Sequence, residues 1–471
     1  MDISLMDMGK FCLRYVKHPF WMLAALIATL SSCSDGDNYV NAIPGGSMAL
    51  ISIDMPQQAK GKADSRLLSL KNMLHVDDLS DCGLDVSAKF YLFEAPDGNL
   101  GLCAKVKDSG DLKHWLEKLS AKGICTSLSE RRGCHFAVMK NSWLVGFSDE
   151  ALLVMGPVVG SAQAELRQQM VRYLKAKEET GIKSSPMFAC IDTISSPVAM
   201  VAQTQAFPEK FVAPFILGAP KEADPSQIVI AAKIAVNGQC LDIDGHTFSF
   251  NKAIDAKLQK NNQVFRPLEG HYSDFIFSDK LMTLFLNVNG REFLPILQQN
   301  KAFQAFLVGI NSAVDMDNIL RCVDGHIVIQ VNNLSEGHAD MCMGAELADI
   351  GFWKDIDYWK KSCPKGSTIT AYGFDQTKPS SVPGYVYTNG DMKFYFGSLN
   401  KNFFCGTDID MVMSLRYYKG VVDQPLEKQL IGKRLVMVLN LLSLGDMEGT
   451  SIASFLKPLF GDVNKVFYSI R

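Results

Sequence analysis

Cys33 carries the clearest chemistry in the sequence, because its thiol stands where a lipid can be attached. Lys10, Arg14, Lys17 and His18 give a positive start, and an uncharged apolar run follows from Phe20 to Leu30. That run suits a signal-peptide core and falls short of the roughly 20 apolar residues that a spanning helix needs. Leu30-Ser31-Ser32 then leads into the cysteine. Small residues there let an extended chain enter a peptidase site, so the order of features is that of a lipobox. The expected chemistry is cleavage before Cys33 and transfer of diacylglycerol to its sulfur. One acyl chain, at ~0.8 kcal/mol per buried methylene, holds a protein only marginally, whereas two or more hold it stably. Asp35 and Asp37 flank Gly36 in the short tract that follows, which reads as an acidic tether. Display at the cell surface and retention on the periplasmic leaflet are both compatible with it.

Ten more cysteines follow, and an even number in an exported chain permits disulfides. Cys125 and Cys134 flank a polar Ser-Glu-Arg-Arg-Gly turn, which makes them the candidate pair across a hairpin. Cys103 and Cys190 sit in apolar runs, where a free thiol acts as a small hydrophobe. No Cys-x-x-Cys occurs, so neither a redox dithiol nor a zinc knuckle is indicated. Thr193, in Asp192-Thr193-Ile194, fits the short Asp-Ser/Thr-aliphatic pattern of O-glycosylation. Asp242-Ile243-Asp244-Gly245 begins like a calcium loop but lacks the third ligand and the distant glutamate, so it reads as a hairpin turn. Asp408-Ile409-Asp410 reads as a strand end.

His75, His114, His135, His246, His271, His326 and His338 are scattered without metal-ligand spacing. The sequence has no Gly-x-Ser-x-Gly elbow, phosphate loop, dinucleotide turn or His-Glu-x-x-His helix. The expectation is therefore no catalytic residue, no cofactor and no metal. Phe211, Phe215, Trp353, Tyr358, Trp359, Tyr417 and Tyr418 could line a glycan platform, but their alternation and helical spacing favour core packing.

The bulk properties agree with a folded, exported body. Apolar residues make up 47% of the 471 and charged ones 21%, the balance of a globular chain. Net charge is −3. A mildly acidic chain without a basic block has no electrostatic reason to grip nucleic acid. The expected membrane partner is reached through lipid on Cys33; a protein or glycan partner is unspecified.

These residues need elements to hold them. Met48–Met55 reads as a strand and Leu67–Leu74 as a helix. Strands at Lys89–Glu94 and Leu100–Val106 join through Pro96-Asp97-Gly98-Asn99. A helix from Leu112 to Leu119 is capped by Asp111, and strands His135–Met139 and Ser142–Phe147 turn at Lys140-Asn141. A similar order returns from Leu281. The strand Leu281–Val288 precedes helices in Phe293–Phe306, and Ile319–Val323 joins His326–Val331 through Asp324-Gly325, a strong hairpin signal. Met341–Leu347, a helix at Trp353–Trp359, and strands at Gly384–Thr388, Met392–Gly397 and Asn402–Gly406 complete that unit. Partial copies begin at Met187–Ile194, followed by strands at Gln227–Val236 and Cys240–Phe248, and at Leu435–Leu442, the latter continuing into a helix at Ser451–Leu459 and a strand at Lys465–Ile470.

The fold class expected is α+β: tandem modules of antiparallel meander sheets with helices packed on one face. The segments are a lipoprotein signal peptide (1–32), an acidic tether (33–39) and an N-terminal module (40–160). A linking amphipathic helix (161–183), a middle partial module (184–270) and one or more C-terminal modules (271–471) follow.

Tyr39-Val40-Asn41-Ala42-Ile43-Pro44, directly after the lipobox and followed by Ala49 and Ile53-Asp54, carries a resemblance. Gly83-Leu84-Asp85, Leu144–Glu150, Leu286–Gly290, Phe460-Gly461-Asp462 and Val466–Ser469 extend it over essentially the whole mature chain. The pattern resembles a Bacteroidetes lipoprotein family catalogued as a domain of unknown function, in the four-thousand-eight-hundred series. That resemblance implies an exported lipoprotein with tandem α+β modules and carries over no catalytic residue. The function expected is a non-catalytic, envelope-anchored binding or structural ectodomain. The alternative is a surface or periplasmic hydrolase of glycans or peptides whose paired carboxylates are hidden by chain separation.

Overall fold

The computed structural model describes residues 36–54, 79–207, 215–276, 279–299, 310–335, 338–372, 384–416, 428–443 and 461–470. The signal peptide, Cys33 and the helices expected at Leu67–Leu74 and Ser451–Leu459 lie outside the described residues, as does part of Phe293–Phe306. Among the described residues no helix is long and apolar enough to cross a membrane. The chain divides into two compact units interleaved in sequence, the first built from 1–45, 83–85 and 101–184, the second from the rest.

Strands β1 (Ala49–Ile53) and β2 (Phe90–Glu94) belong to the second unit. The first unit holds β3 (Leu100–Lys105), helix α1 (Ser109–Ala121), β4 (Ser129–Arg131), β5 (Cys134–Met139), β6 (Trp143–Phe147), β7 (Ala151–Gly156) and α2 (Gln163–Leu174). Its strands run in the order β3-β7-β6-β5-β4. The β5–β6 turn is made by Lys140 and Asn141 at φ 48° and 62°, the left-handed pair that a tight hairpin requires. Helix α1 buries Leu112, Trp115, Leu116 and Leu119, one helical face. Its cap is Asp108, whose side chain accepts the Asp111 N–H; the sequence pointed to Asp111 because both acids stand near the start. Helix α2 is not an exposed bridge. Leu166, Met170 and Val171 are buried against the sheet of the same unit, and Arg167 lies over the Phe136 ring.

The second unit continues with α3 (Pro186–Asp192), β8 (Val198–Gln203), β9 (Val229–Asn237), β10 (Cys240–Phe248) and α4 (Lys252–Asn262). Next come β11 (Met282–Asn289), α5 (Gly290–Leu297), α6 (Met316–Arg321), β12 (Val323–Ser335) and β13 (His338–Leu347). Helix α7 (Ile356–Ser362), β14 (Ser367–Tyr372), β15 (Gly384–Asn389), β16 (Met392–Leu399), β17 (Asn402–Gly406), α8 (Ile409–Arg416), β18 (Leu435–Asn440) and β19 (Lys465–Ile470) complete it. Met187–Ile194, expected to open a partial module, is mostly the helix α3, because Ser185 caps the Met187 N–H and Pro186 presets the first turn.

The described strands of this unit form one continuous ladder, β2-β1-β8-β9-β10-β19-β18-β11-β12-β13-β17-β16-β15-β14. The fold is α+β with a mixed sheet, and not purely antiparallel: β10 and β19 run parallel. The pairings also repeat at an offset of ten strands. β1 pairs β2 and β8, and β8 pairs β9; β11 pairs β12 and β18, and β18 pairs β19. Likewise β3 pairs β7 while β4, β5, β6 and β7 pair in series, as β13 does with β17 and as β14 to β17 do. Strand β10 stands outside the repeat, between β9 and β19.

The core of the second unit is packed from both sheet and helix. Phe285, Val328, Phe404 and Val436 from the strands meet Val412 and Leu415 of α8, together with Tyr272 and Ile276. The β12 strand runs through Asp324-Gly325, where a hairpin was expected. It carries a register shift there instead, with Gly325 at φ +149°, and α6 occupies the stretch ahead of it.

Candidate functional site

The β10–β19 seam forms the floor of a groove of about 770 Å³, the size of a small-molecule or oligomer-segment site. Side chains alternate along a strand, so every second residue shares a face. On the groove face Cys240 lies opposite Lys465, Asp242 opposite Phe467 and Asp244 opposite Ser469. Leu241 is buried and not part of the lining, and Tyr468 packs edge-on against Phe215. Asn237 and Gln239 come from the β9–β10 turn, Asn464 precedes β19, and Lys433 precedes β18. Asp242-Ile243-Asp244-Gly245 is thus mid-strand. The hairpin turn expected there falls earlier, at Gly238, whose φ is +62°.

The polar groups of the groove hold one another. The Asn237 amide donates to the Asp242 carboxylate. Lys433 Nζ stands 3.2 Å from Asp244 Oδ1 and donates to Ser469 Oγ at 2.9 Å, and Ser469 donates to Asp244 at 3.4 Å. Asn464 donates to Gln239 Oε1 at 2.8 Å. Burial, reinforced by the neighbouring Asp242 charge, pushes the Cys240 thiol up to about 12, so it stays protonated at neutral pH and is a poor nucleophile. What this surface does well is exchange hydrogen bonds with amide, carboxylate and ammonium groups at fixed positions.

A second constellation lies elsewhere in the same unit and was invisible in the sequence. His271 and His326 meet with ring centroids 4.1 Å apart, and Glu346 bonds to the Nδ1 of both, at 2.9 Å for His326. The His326 backbone N–H also donates to Glu346 Oε2 at 2.9 Å. Burial pushes the Glu346 carboxyl up, but the hydrogen bonds from His326 and then His271 outweigh it and hold the group at about 2. Gly325 makes this possible, because a Cβ there would collide with the Glu346 carboxylate. The other described histidines whose side chains can be placed, His114, His135 and His246, join no such cluster.

The residues singled out in sequence are placed as follows. Cys125 and Cys134 are both free and buried. The hairpin sets Cys134 opposite Arg131 and Cys125 opposite Met139, so the pairing expected between the two thiols is not made. Cys125 donates instead to the Leu116 carbonyl. Thr193 is exposed at the end of α3, not at a strand end, with its hydroxyl on the Cys190 carbonyl at 2.7 Å. Asp408 caps α8 by accepting the Met411 N–H. Phe215 stacks on Phe207, Trp359 on Phe352 and Trp353 on Phe396, which is core packing, while Tyr358 stands 70% exposed. Phe211, Tyr417 and Tyr418 lie outside the described residues.

No curated protein and no solved structure matches the chain. A family model, however, matches residues 59–418, a span that takes in the strands from β2 to β17, with the β10 floor of the groove and the two histidines with their glutamate. On that match, the chain belongs to the family described as Domain of unknown function (DUF4836).

Proposed function

We propose that this protein is a Bacteroidetes-type envelope lipoprotein whose ectodomain is a non-catalytic binding body, held by lipid on Cys33, with the groove along the β10–β19 seam as its ligand site. The observation that carries the binding reading is the groove itself: its carboxylates are engaged, Asp242 by a hydrogen bond from the Asn237 amide and Asp244 by the Lys433 ammonium, rather than left to act on a substrate. Its lining of Asn, Gln, Asp and Lys suits a hydroxyl- or amide-rich ligand, a glycan or an extended peptide. The ten-strand offset in pairing supports a tandem duplication, with β10 as the strand added between two copies.

The second reading is a hydrolase. Asp242 and Asp244 share one face of β10, and residues two apart on a strand stand roughly 7 Å apart, within the span that glycosidases use. Asp244 oxygen, however, is engaged by Lys433 and Ser469. Mature protein incubated with glycan and peptide panels is expected to retain ligand without releasing product, and Lys433→Ala is expected to weaken retention. Turnover abolished by Asp242→Asn would establish the hydrolase instead.

Anchoring has its own test. The Cys33→Ser variant is expected to remain an untrimmed precursor and to incorporate no labelled fatty acid. Normal trimming and labelling in that variant would remove the lipid from the account. Protease added to intact cells separates the two leaflets, since only a surface-displayed ectodomain is cut.

A further inference from the structure

Glu269, His271 and His326 offer one ligand atom each, and these atoms lie within 4.8 Å of one another. Their positions are set from three directions. His326 is on β12, only 3% exposed, opposite Asn287 of β11. Asn287 in turn donates to the Pro267 carbonyl at 2.7 Å, and the Arg266 N–H donates back to the Asn287 carbonyl, which lays the 266–271 segment along the sheet. Glu346 comes from β13. Because its two oxygens take the Nδ1 atoms of both imidazoles, Nε2 is the nitrogen each ring has left for another partner. The Glu269 backbone N–H donates to His326 Nε2 at 3.0 Å, so in neutral His326 the proton sits on Nδ1 and the lone pair on Nε2.

We propose that Glu269, His271 and His326 form a binding site for a divalent transition metal of the Zn²⁺ class, with Glu346 orienting both imidazoles from behind. A carboxylate on the far nitrogen of a ligating histidine is the recurring arrangement that fixes its tautomer and raises its basicity. Here one carboxylate serves two rings. Two nitrogens and one carboxylate oxygen are a borderline donor set. Hard Mg²⁺ and Ca²⁺ prefer all-oxygen shells, and no thiolate lies in the set to draw a soft ion. Three protein ligands leave at least one coordination position for water. Coordination exchanges the Glu269 N–H···Nε2 hydrogen bond for a metal bond, and Gly270, at φ +94°, is where the segment turns without strain to bring the Glu269 carboxylate over. The grouping is not readable from sequence spacing, because its members come from β12 and from a segment far ahead of it.

Purified mature protein, stripped with chelator, is to be titrated with ZnCl₂ calorimetrically and with CoCl₂ by visible absorption. One high-affinity equivalent is expected, with cobalt d–d bands and no thiolate charge-transfer band, and with no heat from MgCl₂. His271 and Glu269 are accessible enough to change without loss of the fold. His271→Ala and Glu269→Ala are each expected to weaken Zn²⁺ binding by well over about 100-fold, beyond the 10- to 100-fold typical of an orienting partner, while the circular dichroism spectrum is unchanged. Absence of a Zn²⁺ equivalent in the wild type, or binding unaltered in both variants, overturns the site. Neither result bears on the seam groove, whose residues are distinct.

Discussion

Gly290→Ala is expected to lower the stability of the second unit by about 3 kcal/mol or more, at the upper end of what overpacking costs. Gly290 opens α5 directly after its cap, Asn289, whose side chain accepts the Arg291 N–H at 3.0 Å. A Cβ there would enter the space of the Leu320 carbonyl oxygen and lie 3.0 Å from that of Val323. Both obstacles are backbone, one in α6 and the other at the start of β12, so no side-chain rotation relieves them. Either the α5–α6 contact opens or the first residues of β12 shift, and β12, at 13 residues, is the longest described strand of the unit. Urea denaturation followed by far-ultraviolet circular dichroism reads the effect as a fall in midpoint. Gly160→Ala is the control: nothing lies within 4 Å of where its Cβ would stand, and its midpoint should be unchanged.

Phe404→Ala is expected to cost about 3–5 kcal/mol, the range for removing a buried aromatic side chain. Phe404 is 1% exposed in the cluster that joins β11, β12, β13 and β18 to α8. It pairs with Gly397 on β16 and Gly344 on β13, and its ring lies over Gly397, where a Cβ would come within 2.6 Å of Phe404 Cε2. The glycine and the ring therefore fill one volume between them. Alanine leaves a cavity beside a residue that has no side chain to fill it. Phe404→Leu should restore more than half of the loss. If the two variants unfold at the same urea concentration, the packing account of this position is wrong.

Sequence patterning was sufficient where one physical rule acted alone. Met282–Val288 is buried throughout, and its apolar run announced a central strand. The strands at Gly384–Asn389, Met392–Leu399 and Asn402–Gly406 also followed from alternation and short turns. It failed where a tertiary demand overrode a local signal. Asp324-Gly325 has the composition of a tight turn, yet it lies inside β12 because the glycine clears room for Glu346. The strand Cys240–Phe248 was expected from its pattern, while Asp242 to Gly245 within it looked like a turn because two acids and a glycine are poor strand formers; the groove face of β10 tolerates them. Neither candidate site was legible for a further reason. The groove joins β10 to β19, and the histidine pair joins β12 to a segment before β11, so the spacing that would reveal either is a property of the ladder order.

The placement of β10 also governs how the protein reaches its native state. Its antiparallel partner β9 is adjacent in sequence, but Cys240 meets Lys465, and the side-chain links Asn464 to Gln239 and Ser469 to Asp244 each bridge 225 positions. Closing so long a loop is entropically slow compared with forming neighbouring hairpins. Until that closure β10 and β18 present unpaired edges, the kind of surface on which chains associate. Refolding should therefore show a concentration-sensitive late phase assigned to this seam, which makes the groove the last feature the molecule acquires.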